Sequence, residues 1–383
     1  MHLPSASPLD ASQLVIERTS TPKTMPESST LVFGQTFTDH MLTVPWSVTD
    51  GWGVPTIKPY GPLALDPSAT VLHYAPTLFE GMKAYKDKQG RTRLFRPDLN
   101  MARMLRGAER MAFPSFEAEA LIELIRKLVE VDERWVPTDP GCSLYIRPTM
   151  IGTRASLGVG PSTEVLLYVI LSPVAKYYAS GAKPISLLCS TRDVRAWPGG
   201  TGSFKFGSNY GPAVSAQMEA AKKGYQQVFW LFGDRCTEVG MMNALIALQR
   251  PDGTVELVTP PLSTGLVLPG VTRDSVLSLA RAHADASNPF RLEGLPEKLV
   301  VSEREITMPE ICAAAQDGTL KEVFGTGTAA IITSVERIGY EGVDVKVPVE
   351  GGAGFGPIAQ TFYDALQAIQ YGDEQYLDWS VLV

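Results

Sequence analysis

Histidine is scarce, with four in 383 residues, at positions 2, 40, 73 and 283. No two stand at the short spacing of a zinc site, and no Cys-x-x-Cys pair occurs, so no metal is expected. A serine-histidine hydrolase would have to recruit one of these few imidazoles, which counts against that class. Cysteine is as rare. Cys142, Cys189, Cys236 and Cys312 are widely spaced, and suit reduced, inert thiols better than a disulfide frame. No apolar run approaches the ~18 residues of a membrane-spanning helix. Positive charge is also lacking: the net charge of -7 excludes general affinity for nucleic acid or an anionic membrane. The segment from Met1 to Ser29 has no apolar stretch, so it is no secretory signal. It is rich in Ser, Thr and Pro, and Arg18 and Lys23 are opposed by Asp10, Glu17 and Glu27. A mitochondrial presequence would be more basic, so the cytoplasm is expected, with the mitochondrial matrix as the alternative.

What is present is material for cores. The chain is 44% hydrophobic and 20% charged, and is too long for one ordinary domain. The pattern predicts an α+β protein of two domains. Residues 1–29 form a flexible segment, 30–176 a smaller α/β domain, 177–184 a linker rich in Gly, Ser and Pro, and 185–383 a larger domain. The larger domain has an antiparallel-rich β core flanked by helices. In the first, strands are expected within 30–50, at Ala69–Tyr74, and on either side of a turn at 88–91. Helices follow over Asp98–Met111, with Asp98 as N-cap, and over Glu117–Val131, where Leu121, Leu124, Ile125 and Leu128 share a face. Ser143–Pro148 alternates, and Glu164–Val174 reads as a strand buried on both faces. In the second, Ile185–Cys189 is a strand and Gly211–Lys223 a helix with Val214, Met218 and Ala221 on its apolar face. A meander of strands spans Val228 to Val258. Helices Asp274–Ala284 and Pro357–Ile369 follow, and no internal repeat is visible.

Chemistry concentrates in the second half. Lys205 stands in a glycine-rich stretch, Gly202 to Gly211, between Phe204 and Phe206. An apolar collar disfavours an ammonium, and a lysine so placed is a candidate nucleophile toward a carbonyl. Glu238 follows in Thr237-Glu238-Val239-Gly240. Two stretches can cradle an anion: Leu268-Pro269-Gly270-Val271-Thr272-Arg273, where a helix opens on free amides, and the Gly/Thr turn at Gly325-Thr326-Gly327-Thr328-Ala329. None is specific alone. A Gly-Thr turn is more often just a turn, and neither stretch matches a P-loop or a dinucleotide fingerprint.

In combination the motifs are specific. Phe204-Lys205, Asn209-Tyr210-Gly211, Thr237-Glu238-Val239-Gly240, Leu268–Arg273 and Gly327-Thr328-Ala329-Ala330 resemble the branched-chain amino acid aminotransferases, pyridoxal-phosphate enzymes of fold type IV. So do Phe37–Met41, Leu78-Phe79-Glu80-Gly81-Met82-Lys83, Phe95-Arg96-Pro97 and Leu144–Pro148 in the first half. The resemblance runs from about Leu31 to Gly372. It implies that Lys205 forms a Schiff base with the aldehyde of pyridoxal 5′-phosphate and then moves the proton between Cα and C4′. It puts Glu238 at the pyridine nitrogen and Tyr210 at the phenolic oxygen. Arg103, Val271, Thr272 and Thr328 would hold the phosphate. Phe33, Tyr74, Phe79, Tyr145, Tyr177 and Phe204 would line the side-chain pocket. Tyr74, Thr328 and Ala329 would meet the α-carboxylate, and Arg147 the distal carboxylate of glutamate. Leu157 and Val159 would reach the other subunit's pocket, which implies a homodimer. The implied reaction moves an amino group between branched-chain L-amino acids and 2-oxoglutarate, with small amino and 2-oxo acids as the only partners. The rivals are a D-amino acid aminotransferase or aminodeoxychorismate lyase of the same fold type, a specialised-metabolism aminotransferase with an altered substrate pocket, and a non-catalytic binding subunit. Four positions depart from the family. Ala330 and Thr333 replace a redox Cys-x-x-Cys found in some members, Met241 replaces a threonine, and Ser208 a glycine.

Overall fold

The computed structural model describes residues 7–176, 183–349 and 354–383. Most of the expected linker, Tyr177 included, lies outside them. The chain divides into two compact units. One takes Met1–Tyr177 together with Phe204–Ser208 and Ile369–Val383, and the other takes Tyr178–Ser203 and Asn209–Ala368. The lysine stretch and the C-terminus thus return to the first unit, which a division at a single linker does not foresee.

The first unit carries β1 (Val15–Ile16), β2 (His40–Ser47), β3 (Gly51–Trp52), β4 (Thr56–Pro59), α1 (Thr70–Tyr74), β5 (Thr77–Phe79), β6 (Met82–Lys86), β7 (Thr92–Phe95), α2 (Pro97–Arg110), α3 (Ala118–Val131), β8 (Ser143–Gly152) and β9 (Glu164–Val174). Its sheet runs β1-β4-β2-β9-β8-β6-β7, ends on the C-terminal strand Ser380–Leu382, and carries β3 on β2 and β5 on β8. The stripe Leu121, Leu124, Ile125 and Leu128 is fully buried in its core. Each such side chain contributes about 1.5–3 kcal/mol on burial.

Four expectations are corrected here. Ala69–Tyr74 is not a strand: one helical turn closes at Ala75, which is left-handed, and Pro76 bars its extension. Asp98 is not the N-cap of α2. Pro97 occupies the first helical position, where its missing N–H costs nothing, so the cap is Arg96. β9 alternates between buried and half-buried residues over its first half instead of burying both faces. From Ser7 onward the N-terminal segment is not loose. Leu9 is buried, and β1 pairs in parallel with β4. The Lys23 amine donates to the Thr38 carbonyl at 2.7 Å. Composition does not register such long-range bonds.

The anchor of that segment is His40. Its Nε2 accepts the Thr19 N–H at 2.9 Å, so the ring proton sits on Nδ1 and is donated to Asp132 at 2.6 Å. Asp132 also accepts the His40 backbone N–H at 2.9 Å.

The second unit carries β10 (Ile185–Ser190), α4 (Ala213–Lys222), β11 (Gln227–Phe232), β12 (Arg235–Val239), β13 (Met242–Gln249), β14 (Val255–Thr259), α5 (Val271–Ala284), β15 (Leu299–Glu303), α6 (Met308–Gln316), β16 (Leu320–Gly327), β17 (Ile331–Tyr340), β18 (Val343–Lys346) and α7 (Pro357–Tyr371), whose last turn joins the first unit. Its strands run β12-β11-β10-β17-β16-β13-β14-β15. Because β12 also pairs with β13, six of them form a closed circuit that leaves no edge among themselves. The β12–β13 turn is Gly240-Met241. Gly240 has φ +56°, and a Cβ there would strike the Gln227 side chain, so glycine is required. The helix expected over Gly211–Lys223 is present as α4, but its buried residues are Ala216 and Ala220; Val214 and Met218 are exposed. Among the described residues no helix is long and apolar enough to cross a membrane.

Asp132→Ala leaves His40 without its acceptor. It is expected to cost about 1–3 kcal/mol in urea unfolding and to speed hydrogen exchange at the Thr19 amide. Unchanged exchange at Thr19 would show that His40 does not anchor the segment.

Candidate active site

The first unit assembles a continuous run of candidate residues. The Lys205 carbonyl accepts the Phe79 N–H at 3.1 Å, and Leu78 bridges Phe206, so the lysine stretch lies along β5. The Lys205 amine stands 5.0 Å from the centre of the Phe79 ring. On the ring's other contacts, the Arg147 guanidinium lies 4.6 Å from Phe79 and 5.1 Å from Tyr145, and donates to the Tyr145 hydroxyl at 3.1 Å. Phe33 meets Tyr145 edge-on at 4.9 Å. Among the described residues the buried Arg147 Nε finds no hydrogen-bond partner. Close approach needs Gly81, since a Cβ there would strike the Tyr145 hydroxyl.

Beneath this run lies Glu80, which is fully buried. Arg103 grips it with Nε and Nη2, each at 2.7 Å, and Asn100 donates at 2.8 Å. Burial alone would raise the Glu80 carboxyl. The Arg103 charge and hydrogen bonds, the Lys205 charge and the Asn100 amide outweigh it and hold the carboxyl below its usual range. Arg103 therefore turns inward, toward a carboxylate. Glu80 lies within the motif Leu78–Lys83, but no local spacing gives it a role.

The second unit gathers its candidates around Asn243. In register, Glu238 faces Asn243 across β12–β13, and Asn243 faces Thr326 across β13–β16. The Asn243 amide donates to the Leu268 carbonyl at 2.8 Å, which fixes the loop leading into α5. Glu238 is buried. Its Oε1 accepts the Leu268 N–H at 2.8 Å, and its Oε2 lies 2.9 Å from Arg195 Nε. Neither Arg195 nor Asn243 was singled out from the sequence, because both act through tertiary contacts that no local spacing records.

Helix α5 begins at Val271, three residues before the expected start, so Val271 and Thr272 supply its first amides. Gly270 caps it without a side-chain hydrogen bond. That end is a ready anion site. The turn after β16 leads into Ile331 at φ +65°, a left-handed position that a β-branched residue occupies at a cost of about 1–3 kcal/mol. Thr326 Oγ1, in the same row as Glu238 and Asn243, is buried without a partner among the described residues.

The other candidates stand as follows. Tyr74 and Leu157 are together, the Tyr74 hydroxyl donating to the Leu157 carbonyl at 2.5 Å. Both are exposed, as are Phe33 and, most of all, Val159 at 83%. Phe204 is half-buried, with Arg106 at 5.2 Å from its ring. Tyr210, Thr328 and Ala329 are half-buried. Tyr177 lies outside the described residues. Met241 is exposed at the tip of the β12–β13 turn.

Residues 77–338 match the model of the amino-transferase class IV family. The chain belongs to that family. It is 49% identical to the mitochondrial branched-chain-amino-acid aminotransferase of Saccharomyces cerevisiae over all of this chain and 95% of that one. It is 47% identical to the cytosolic enzyme of the same yeast over 98% of each. The fold is that of a solved branched-chain aminotransferase from Thermobaculum terrenum in its PLP form, with TM-score 0.68, 21% identity and coverage of 90% of this chain and 98% of that one.

Class IV aminotransferases use pyridoxal 5′-phosphate. The residues present suit that group. There is an amine against an aromatic ring, a buried carboxylate paired with an arginine, a helix start without a side-chain cap and, among the described residues, a buried hydroxyl without a partner. With Glu80 held below its ordinary value of 4.5, its contribution to stability is complete above that pH and is lost as the pH falls. Glu80→Gln is expected to cost about 3 kcal/mol near neutrality, and the gap to wild type should shrink between about pH 5 and pH 3. Urea unfolding across that range checks it, and a gap that does not change with pH contradicts it.

Proposed function

We propose that this protein transfers the amino group between branched-chain L-amino acids and 2-oxoglutarate on pyridoxal 5′-phosphate. The carrying observation is the aromatic face of Phe33, Phe79 and Tyr145 around one guanidinium whose Nε has no hydrogen-bond partner among the described residues. Such a face takes a branched apolar side chain, and its cation takes the distal carboxylate of glutamate, so one pocket serves both substrates in turn. The chain's near-half identity to enzymes named for branched-chain amino acids supports the same reading.

When bound, the cofactor supplies an electron sink. In this reading Lys205 holds it covalently and then carries the proton between the substrate Cα and the cofactor C4′. Glu238 holds a proton on the pyridine nitrogen, and Tyr210 donates to the phenolic oxygen. The Val271 and Thr272 amides and the Thr328 hydroxyl, with Arg103, hold the phosphate. Thr328 and Ala329, with Tyr74, meet the α-carboxylate, and Phe204 and Tyr177 complete the apolar lining. The exposed Leu157 and Val159 would be covered in a homodimer, each reaching the partner's pocket.

Borohydride reduction of the loaded protein should fix the cofactor on the peptide bearing Lys205, and Lys205→Ala should lose the linkage and about 10³-fold or more of the activity. A trapped cofactor on another lysine would overturn the assignment. Arg147→Gln should raise KM for 2-oxoglutarate about ten- to a hundredfold while leaving KM for L-leucine within a few-fold. Equal loss for both would remove Arg147 from carboxylate recognition.

A further inference from the structure

Arg195 is a buried cation to which neither the sequence motifs nor the proposed reaction assigns a role. Its side chain and that of Glu238 are 6% and 3% exposed, with Nε 2.9 Å from Oε2. Its Nη1 donates to the Gly202 carbonyl at 3.3 Å, at the head of the lysine stretch. Glu238 also accepts the Leu268 N–H, meets the Asn243 amide at 3.4 Å, and stands opposite Trp230 on β11. Arg195 thus places a positive charge directly on the Glu238 carboxylate.

We propose that Arg195 is a positioning residue that fixes the proton on the pyridine nitrogen of the bound cofactor by keeping Glu238 anionic. The inference rests on the cofactor reading above. A carboxylate and a pyridine share one proton. In a dry site the neutral pair, carboxylic acid and pyridine, competes with the ion pair, because buried charge is costly. A guanidinium on the far oxygen lowers the basicity of the carboxylate and sets the anion between two cations. The proton then rests on the ring. Arginine suits the task because it does not lose its own proton when buried. No bond is made or broken; only the resting place of the proton is decided.

The test is a pH titration of the bound cofactor's absorbance, without substrate, in protein reconstituted with pyridoxal 5′-phosphate. A ring that has lost its proton withdraws fewer electrons, so the Lys205-linked nitrogen keeps its own proton to higher pH. Arg195→Gln should raise the midpoint by about one pH unit, and Arg195→Lys, which keeps a charge, should raise it by less. Glu238→Gln should raise it as well. The double variant Arg195→Gln with Glu238→Gln should shift no further than the larger single effect. Loss of a nearby cation acting directly on the Lys205 nitrogen would instead add in the double variant, and that result overturns the proposal. A wild-type midpoint in Arg195→Gln or Arg195→Lys with cofactor bound also overturns it. If Arg195→Gln does not fold, Arg195→Lys and its double variant with Glu238→Gln decide by the same criteria. Wild-type protein that binds no cofactor at Lys205 overturns the underlying functional reading, a distinct result.

Discussion

Within each unit the candidate residues gather around a buried carboxylate paired with a buried arginine, Glu80 with Arg103 in the first and Glu238 with Arg195 in the second. Removing either partner would leave a charge in a dry interior, at several kcal/mol. Glu80 and Arg103 are therefore locked together, and the lock reaches β5 and the Lys205 charge. Glu238 and Arg195 are locked likewise, and Glu238 also ties down the loop that opens α5. Such pairs add little net stability compared with apolar residues of similar size. What they give is fixed geometry and fixed ionisation, which is what acid–base chemistry on a cofactor needs.

The backbone serves the same end. Closing β12 onto β13 requires a tight turn that only glycine can make at Gly240, and that closure sets Glu238, Asn243 and Thr326 in one row. The next turn in that row ends at Ile331 in a left-handed conformation. Strain of this kind persists only where the surrounding strands over-determine it.

The sequence made the periodic elements legible. The fully buried stripe on α3, the strand β9 and the turn between β6 and β7 follow from spacing and turn chemistry alone. The single turn of α1 was misread because its β-branched residues suggest a strand, while Ala75 and Pro76 decide otherwise. The family motifs were readable, and so was the aromatic face with Arg147. The carboxylate of Glu80 and its grip on Arg103 were not, although Glu80 sits inside the motif Leu78–Lys83. Arg195 and Asn243 were invisible for the same reason: their partners are about 43 and 25 residues away along the chain, and only the folded circuit brings them together.

A transaminase works in two halves, and the first half can be watched alone. Loaded protein given L-leucine and no oxo acid should release one equivalent of the branched 2-oxo acid per subunit and lose its cofactor absorbance. Adding 2-oxoglutarate should then restore that absorbance. An unchanged spectrum with L-leucine, or a response to D-alanine in its place, would contradict the account.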